Sequence, residues 1–551
     1  MTCAAVPCFV LLAAAGAGTL AVGTRCDLPT RCALGLALFA HALFALALCG
    51  ALRAGAVVAL LVIAIAGGVR RGLRVPHADV ATGAGIALFA LLFPLALFPP
   101  LAFDETLYHL PFVRALARSG TLAFQPELRF PLFPQLHELL CAPVLLFAGD
   151  TATHLVAFAE LIVTAALLVA WRPRIGLLAA ALFLGSPLVL HLGTLTYVDA
   201  ALAMFVTAGF VCLDRFLERD DRLSLLLTGV FCGTACGVKY LGGYFAVAAF
   251  VIVLILARDR VRAAPTLMIT MLACALPTTL WLVANSGNPV FPFLPGVFGA
   301  NVWSHPMVSM SAGARALRIA RLTWDATVAR EYVNAQPPVT PLLVVMLIVV
   351  LAAAMRDLRA RCVAILCAAY VVIFTFLPQD SRYLVPLLPL LSMTAAAAIA
   401  ARRPSLVNAL ACIAVAPGVL YIIYRLVVLG PPPLTPAARE AFLARHVPEY
   451  AAVQRAGTTR VYVCGGEQLK DYARGSLLGD VVGPFSIARV LGDAHDTDAI
   501  AARLRPLAIE SFLVAKRVCP PPRANGGMEL VYEDRAAQLW RVQPGNKPHS
   551  R

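Results

Sequence analysis

The sequence predicts an α-helical polytopic membrane protein of about 12–14 transmembrane helices that closes in a small extracytoplasmic α/β domain. Three observations predict it. The 551 residues are 60% hydrophobic and only 14% charged, with a mean hydropathy of +0.81, whereas a soluble chain of this length coats one or two cores with charge. The apolar residues come in runs long enough to cross a hydrocarbon layer. The arginines fall in short clusters between those runs, and strict alternation puts every compact cluster on one side.

Taken in order, the runs lie near 2–22, 33–52, 55–69, 81–103, 151–171, 174–192, 197–213, 223–238, 240–257, 264–284, 340–355, 362–377, 383–401 and 405–429. Arg70, Arg71 and Arg74 precede the fourth run, so residue 104 emerges outside. Arg172 and Arg174 then fall inside, as do Arg258–Arg262, Arg356–Arg361, and Arg402 with Arg403. The outer side receives 104–138, 194–199, Lys239, 285–339, 378–382 and everything after 430. Alternation also leaves the N-terminus outside. The chain thus divides into N-terminal helices (1–80), a central membrane domain (81–429) with outer loops 104–138 and 285–339, and a tail (430–551). The apolar stretch Leu139–Gly149 is short for a crossing and reads as lying on the membrane.

The formal net charge of +15 sets topology and is not a nucleic-acid footprint, because no basic stripe with interleaved aromatics occurs. Most of the 15 cysteines sit inside apolar runs and none forms a CxxC pair; they read as small hydrophobes, which argues against a metal centre. Cys464 and Cys519 lie in the polar tail, where an extracytoplasmic location would let them pair; the sequence leaves that open. Residues 1–23 carry no basic n-region and read as a first membrane helix, not a cleaved signal.

The tail is different material. Arg460–Gly465, Ala508–Ala515, Met528–Asp534 and Gln538–Val542 read as strands, and Asp496–Leu504 as a helix opened by an Asp cap. Strand, helix and strand in that order predict the α/β domain.

The outer side gathers residues suited to chemistry. Asp104 and Glu105 sit together at the end of a membrane helix, where ionisation is costly unless the charges are paired or used, and Tyr108 and His109 follow at helical spacing. Arg129 opens the segment Arg-Phe-Pro-Leu-Phe-Pro-Gln, whose prolines exclude a regular helix. An Arg at that surface either binds phosphate or marks a re-entry loop. Asp199, Lys239, and Arg382 with Tyr383 each open or close a run on the same side. Taken singly, each is a helix-end anchor; their shared face joins them. Asp214, Asp220 and Asp221 fall on the other side among arginines and read as a solvated loop.

Six segments together resemble the GT-C superfamily of polyprenyl-phosphate-sugar glycosyltransferases, with the protein O-mannosyltransferases and the aminoarabinose transferases of lipid A as similar members. They are Phe103-Asp104-Glu105, Arg129–Gln135, Thr196–Ala200, Gly237–Tyr240, Gly287–Phe293 and Arg382–Pro389. The Arg129 segment lacks the double proline of the family pattern. The resemblance covers roughly 85–400, in order, and implies a GT-C-like fold and a polyprenyl-phosphate-sugar donor. It further implies transfer to an acceptor hydroxyl on a lipid, glycan or protein, at the extracytoplasmic face of a bacterial inner membrane. Asp104 would be the general base of an inverting reaction. Lys239, Arg382 or Arg129 would stabilise the departing phosphate, while Glu105 and Asp199 would hold hydroxyls. Tyr108, His109 and Tyr383 complete the expected binding set. No metal is required; a divalent cation, Mg or Mn, is compatible. The competing readings are a flippase for a lipid-linked sugar and a non-catalytic relative.

Overall fold

A helix that is apolar on every side has to be buried or bathed in lipid, and both kinds are present. The computed structural model describes residues 5–74, 80–304, 310–328, 337–378 and 380–544. Parts of the expected first run and of loop 285–339, residue 379 in the expected outer stretch 378–382, and the last seven residues therefore lie outside the described residues. Asp199–Arg219 is the axis of the helical body, buried without a break from Asp199 to Leu213. It packs against Arg222–Val238 and His154–Trp171. The helices Arg260–Ser286 and Val407–Leu429 are peripheral and expose Ile269, Leu280, Ile413 and Leu420. Apolar side chains that face outward on a rim belong in a bilayer, and the chain is a multi-pass membrane protein. Among the described residues six helical segments of 21 to 27 residues are long and apolar enough to cross, and seven shorter apolar helices accompany them.

The described elements depart from the expected runs at five places. The first is the run 81–103, which is α-helical only to Leu92, continues as the 3-10 turn Phe93–Leu97 and is non-helical over 98–102, so Asp104 does not end a membrane helix. The run 174–192 breaks into Gly176–Leu184 and Pro187–Leu192, because Pro187 lacks the amide that would continue the ladder and Ser186 caps the second piece. The stretch expected to lie on the membrane is the helix Leu136–Ala148, whose first half is fully buried against Leu28–Leu48 and Leu110–Ser119. Loop 104–138 is helical through Ser119: a π-turn at Glu105–His109 runs into Leu110–Ser119, which buries Leu110, Phe112, Val113 and Leu116. Loop 285–339 likewise contains the helix Ala312–Val328. The first two helices cross closely, since a Cβ on Gly35 would sit 1.8 Å from the Ala14 carbonyl oxygen.

The tail forms a five-stranded sheet from β1 (Val461–Cys464), β2 (Leu477–Leu478), β3 (Ser511–Ala515), β4 (Met528–Glu533) and β5 (Ala537–Val542), in the order β2-β1-β3-β5-β4. β1 is parallel to β2 and β3, and β5 is antiparallel to β3 and β4. The Asp496-capped helix Thr497–Leu504 precedes β3 as expected. β2 and the helices Pro436–His446 and Tyr450–Ala456 have no counterpart in the sequence reading. Cys464 and Cys519 form a disulfide that spans 55 residues.

A cross-link over such a loop removes about 4 kcal/mol of chain entropy from the unfolded tail on the loop-closure argument. Alkylation of intact membranes followed by mass analysis should leave Cys464 and Cys519 unlabelled until a reductant is added. Cys464→Ser should lower the unfolding temperature of the purified protein, and labelling of either residue without reductant would contradict the pairing.

Candidate active site

Two charge clusters mark the two ends of the Asp199–Arg219 helix, about 22 Å apart at 1.5 Å per residue. At the lower end Asp214 accepts from Arg172 at 2.6 Å, Arg359 at 2.8 Å and the Trp171 indole at 2.8 Å. Glu218 shares both arginines. Asp214 is therefore a tie between three helix ends and not part of a solvated loop. The alternation rule had put Arg172 and Arg359 on one side, and the fold brings them to one carboxylate.

The upper end holds the residues expected to carry chemistry. Asp199 opens the helix, and its Oδ1 lies 2.7 Å from Lys239 Nζ. The Asp199 side chain is 1% exposed, and its Oδ2 has no partner among the described residues. Lys239 reaches this point because its helix stops at Val238, and its ammonium lies 4.4 Å from the centre of the Tyr383 ring. Arg382 approaches the same ring from its own cation at 5.3 Å. It is held by the 3-10 turn Ser381–Leu387, which Asp380 caps. Arg382 Nη2 meets Asp104 Oδ2 at 2.5 Å, and its Nε lies 2.9 Å from Asp380 Oδ2. Two acid–base pairs, Asp104–Arg382 and Asp199–Lys239, thus both border Tyr383.

Asp104 is fixed from three directions. Its amide donates to the Tyr197 hydroxyl at 3.1 Å, the Tyr108 hydroxyl donates to Oδ2 at 3.2 Å, and Arg382 completes the set. Among the described residues no hydrogen bond reaches Oδ1. The side chain keeps 17% of its exposure, so one carboxylate oxygen is available to a ligand. Arg382 also stacks over Tyr197 at 4.9 Å. Tyr197 and Asp380 were missing from the expected set. A Tyr two residues before Asp199 and an Asp two residues before Arg382 were the only signals for them.

Three expected binding residues are otherwise employed. Glu105 is wholly buried: Oε1 accepts from the Thr196 amide at 2.7 Å and lies 2.7 Å from His154 Nε2, while Oε2 faces the Ala102 amide at 3.4 Å. It pins the turn before the axial helix, and both of its oxygens face protein donors. His109 is buried too, with Nδ1 2.6 Å from Glu138 Oε1. Glu105 and His109 both turn inward from the π-turn, held by His154 and Glu138, while Asp104 and Tyr108 face the site. Arg129, expected at a phosphate, meets Asp480 of the tail at 2.7 Å and stacks over Phe103 at 5.6 Å. Burial works against ionisation of Asp480, yet Lys470 and Arg129 beside it hold its carboxyl below the usual carboxylate range. The described residues contain no group of three or more His, Cys, Asp or Glu arranged to hold a metal.

With this geometry in view, the chain was compared with known proteins. Residues 149–284 match the family model for dolichyl-phosphate-mannose-protein mannosyltransferase. An uncharacterized protein of Shigella flexneri is 32% identical over 146 residues, which is 24% of this chain and 73% of that protein. The undecaprenyl phosphate-alpha-4-amino-4-deoxy-L-arabinose arabinosyl transferase 2 of Proteus mirabilis is 34% identical over 87 residues, or 15% of this chain, and only 16% of that enzyme's length is spanned. Among solved structures, ArnT from Cupriavidus metallidurans in the apo state superposes with a TM-score of 0.54 at 13% identity, covering 84% of this chain and 98% of that one. The same protein bound to undecaprenyl phosphate gives 0.50 at 14% identity, covering 84% and 97%. These two likenesses are of fold.

Glu105→Gln should lower stability by on the order of 3–5 kcal/mol by breaking a buried pair. The check is thermal unfolding in detergent. An unchanged melting temperature with a raised substrate KM would return Glu105 to the binding set.

Proposed function

We propose that this chain, which belongs to the GT-C superfamily of polyprenyl-phosphate-sugar glycosyltransferases, moves a sugar from a polyprenyl-phosphate donor to an acceptor hydroxyl at the extracytoplasmic face of a bacterial inner membrane. The observation that carries this reading is the pairing of Asp104 with Arg382 beside Lys239, all at one end of the helical body and all partly open. The fold shared with a protein solved with undecaprenyl phosphate supports a lipid-linked donor.

The chemistry follows from the pairing. Asp104 Oδ1 takes the proton of the acceptor hydroxyl as that oxygen attacks the anomeric carbon. The bond from that carbon to the phosphate oxygen breaks on the opposite face, the electron pair leaves with the polyprenyl phosphate, and the anomeric centre inverts. Negative charge therefore disappears from Asp104 as it grows on the phosphate. Arg382 touches Asp104 already, so one guanidinium serves both charges in turn, and Lys239 adds a second cation beside Tyr383. Tyr108 and Tyr197 keep Asp104 oriented, and the unpartnered Oδ2 of Asp199 is placed to accept from a sugar hydroxyl.

The test is transfer of radiolabelled sugar from polyprenyl-phosphate donors in membranes holding equal amounts of wild type or Asp104→Asn. Loss of a general base should lower the rate by about 10²–10⁴-fold. Wild-type rates in the variant would remove Asp104 from the chemistry, and translocation of the lipid-linked sugar without transfer would make the protein a flippase. No step is assigned to a divalent cation, so transfer should persist in EDTA; loss restored by Mg or Mn would add a metal to the reaction.

A further inference from the structure

The tail meets the helical body at Arg439, which reaches Asp150 and Thr151, at Phe442, which packs on Phe98, and along residues 467–483, the stretch that touches both outer loops. Its first turn, Glu467–Asp471, packs against the π-turn Glu105–His109. Asp471, its side chain 1% exposed, takes Arg114 Nε at 2.7 Å, and Arg114 also meets Asp150 at 2.8 Å. The Tyr472 hydroxyl donates to the Pro100 carbonyl at 2.6 Å, four residues before Asp104. Asp480 then receives Arg129 on Oδ1 and Lys470 on Oδ2, at 2.8 and 2.9 Å. The Arg129 guanidinium lies between Asp480 and the ring of Phe103, the residue next to Asp104. Three residues on, the Gly483 amide donates to the Val302 carbonyl in the second outer loop at 2.8 Å. Gly483 has φ +89°, and a Cβ there would lie 2.9 Å from the Trp303 indole nitrogen.

Asp471, Asp480 and Lys470 are buried in these contacts while Arg114 and Phe103 stay partly open, and most of the contacts converge on the few residues either side of Asp104. A solvated tail resting on a membrane body needs none of them. Exposed ion pairs contribute little, but here Asp480 is 5% and Lys470 4% exposed, so a partner removed leaves a charge stranded. We infer that Asp480 is a positioning residue for the Asp104 loop: through Arg129 and Phe103 it clamps that loop, and the tail that carries it holds the two outer loops together. The catalytic part of this inference rests on the glycosyltransferase reading. The clamp itself does not. Asp480 touches no substrate in this scheme and acts through another side chain, so its loss should fall on kcat and leave donor KM alone.

The experiment compares full-length wild type, Asp480→Asn, Arg129→Ala and the double variant in detergent. Hydrogen–deuterium exchange reads the clamp without any substrate. Faster exchange confined to residues 100–135 and 294–304 in Asp480→Asn, with the sheet still protected, is the expected result; unchanged exchange there overturns the clamp. Steady-state transfer reads the consequence. A kcat lowered about 10- to 100-fold at constant donor KM is expected, with the double variant no worse than either single one and partial recovery in Asp480→Glu. Additive losses, or a loss carried by KM, would overturn the positioning role. Should Asp480→Asn fail to fold, Gly483→Ala loosens the second loop alone and is expected to raise exchange at 294–304. Protection retained there would count against the tail as the link between the loops. A wild type without any transfer would overturn the catalytic part together with the glycosyltransferase reading, while exchange still decides the clamp.

Discussion

Burying a charge beside a membrane is tolerable only when an opposite charge is buried with it, and the upper end of this molecule is organised by that constraint. Asp104 lies against Arg382 and Asp199 against Lys239, and each partner comes from a different part of the chain. The pairs fix where four elements end: the segment before the π-turn, the axial helix, the helix that stops at Val238, and the 3-10 turn at 381. Neutralising Asp199 would strand Lys239 and neutralising Arg382 would strand Asp104, whereas Arg382 has a second carboxylate in Asp380. The arrangement is therefore both a structural knot and a store of charge that a substrate can redistribute. A phosphate that enters this site meets cations already desolvated and already oriented.

The lower end uses the same device for another purpose. Arg172, Arg359, Asp214 and Glu218 neutralise one another around the foot of the axial helix, and the indole of Trp171 completes the set. That cluster leaves no oxygen of Asp214 without a donor. By contrast the upper cluster keeps Asp104 Oδ1 and Asp199 Oδ2 unspent. Satisfied charge ties helices; unsatisfied charge awaits a ligand.

Much of the architecture was legible because lipid imposes a coarse code. Long apolar runs and the sidedness of arginine clusters gave the helical body, and the fold brings Arg172 and Arg359 together as that sidedness requires. Short runs rich in β-branched and aromatic residues gave four of the five strands, while Leu477–Leu478 is too short to show such a run. The candidate site was legible as a set of residue types on one face. Their division of labour was not. The i,i+4 spacing already pairs Glu105 with His109 and Asp104 with Tyr108, but which pair turns inward is set by His154 and Glu138, partners from elsewhere in the chain. The fate of Arg129 was hidden in the same way. Its partner lies 351 residues away in a domain of another kind, and no local pattern reports so distant a contact. The break at Pro187 was the reverse case, because its signal was local and the apolar run around it concealed it.

That separation has a consequence for how the protein is made. At translation rates of roughly 5–20 residues per second, Asp480 leaves the ribosome about 20–70 s after Arg129. During that interval the helices can insert and the upper ion pairs can form as Lys239 and Arg382 arrive, but Arg129 has nothing to grip. The last stage is closure of the sheet, with β1 waiting for β3 and Cys464 for Cys519. A chain cut short in its final hundred residues would be a membrane protein with its charged residues in place and its loop unheld. Arg129 thus finds Asp480 only once the tail is in place, which makes the inferred clamp one of the last of the upper contacts to form.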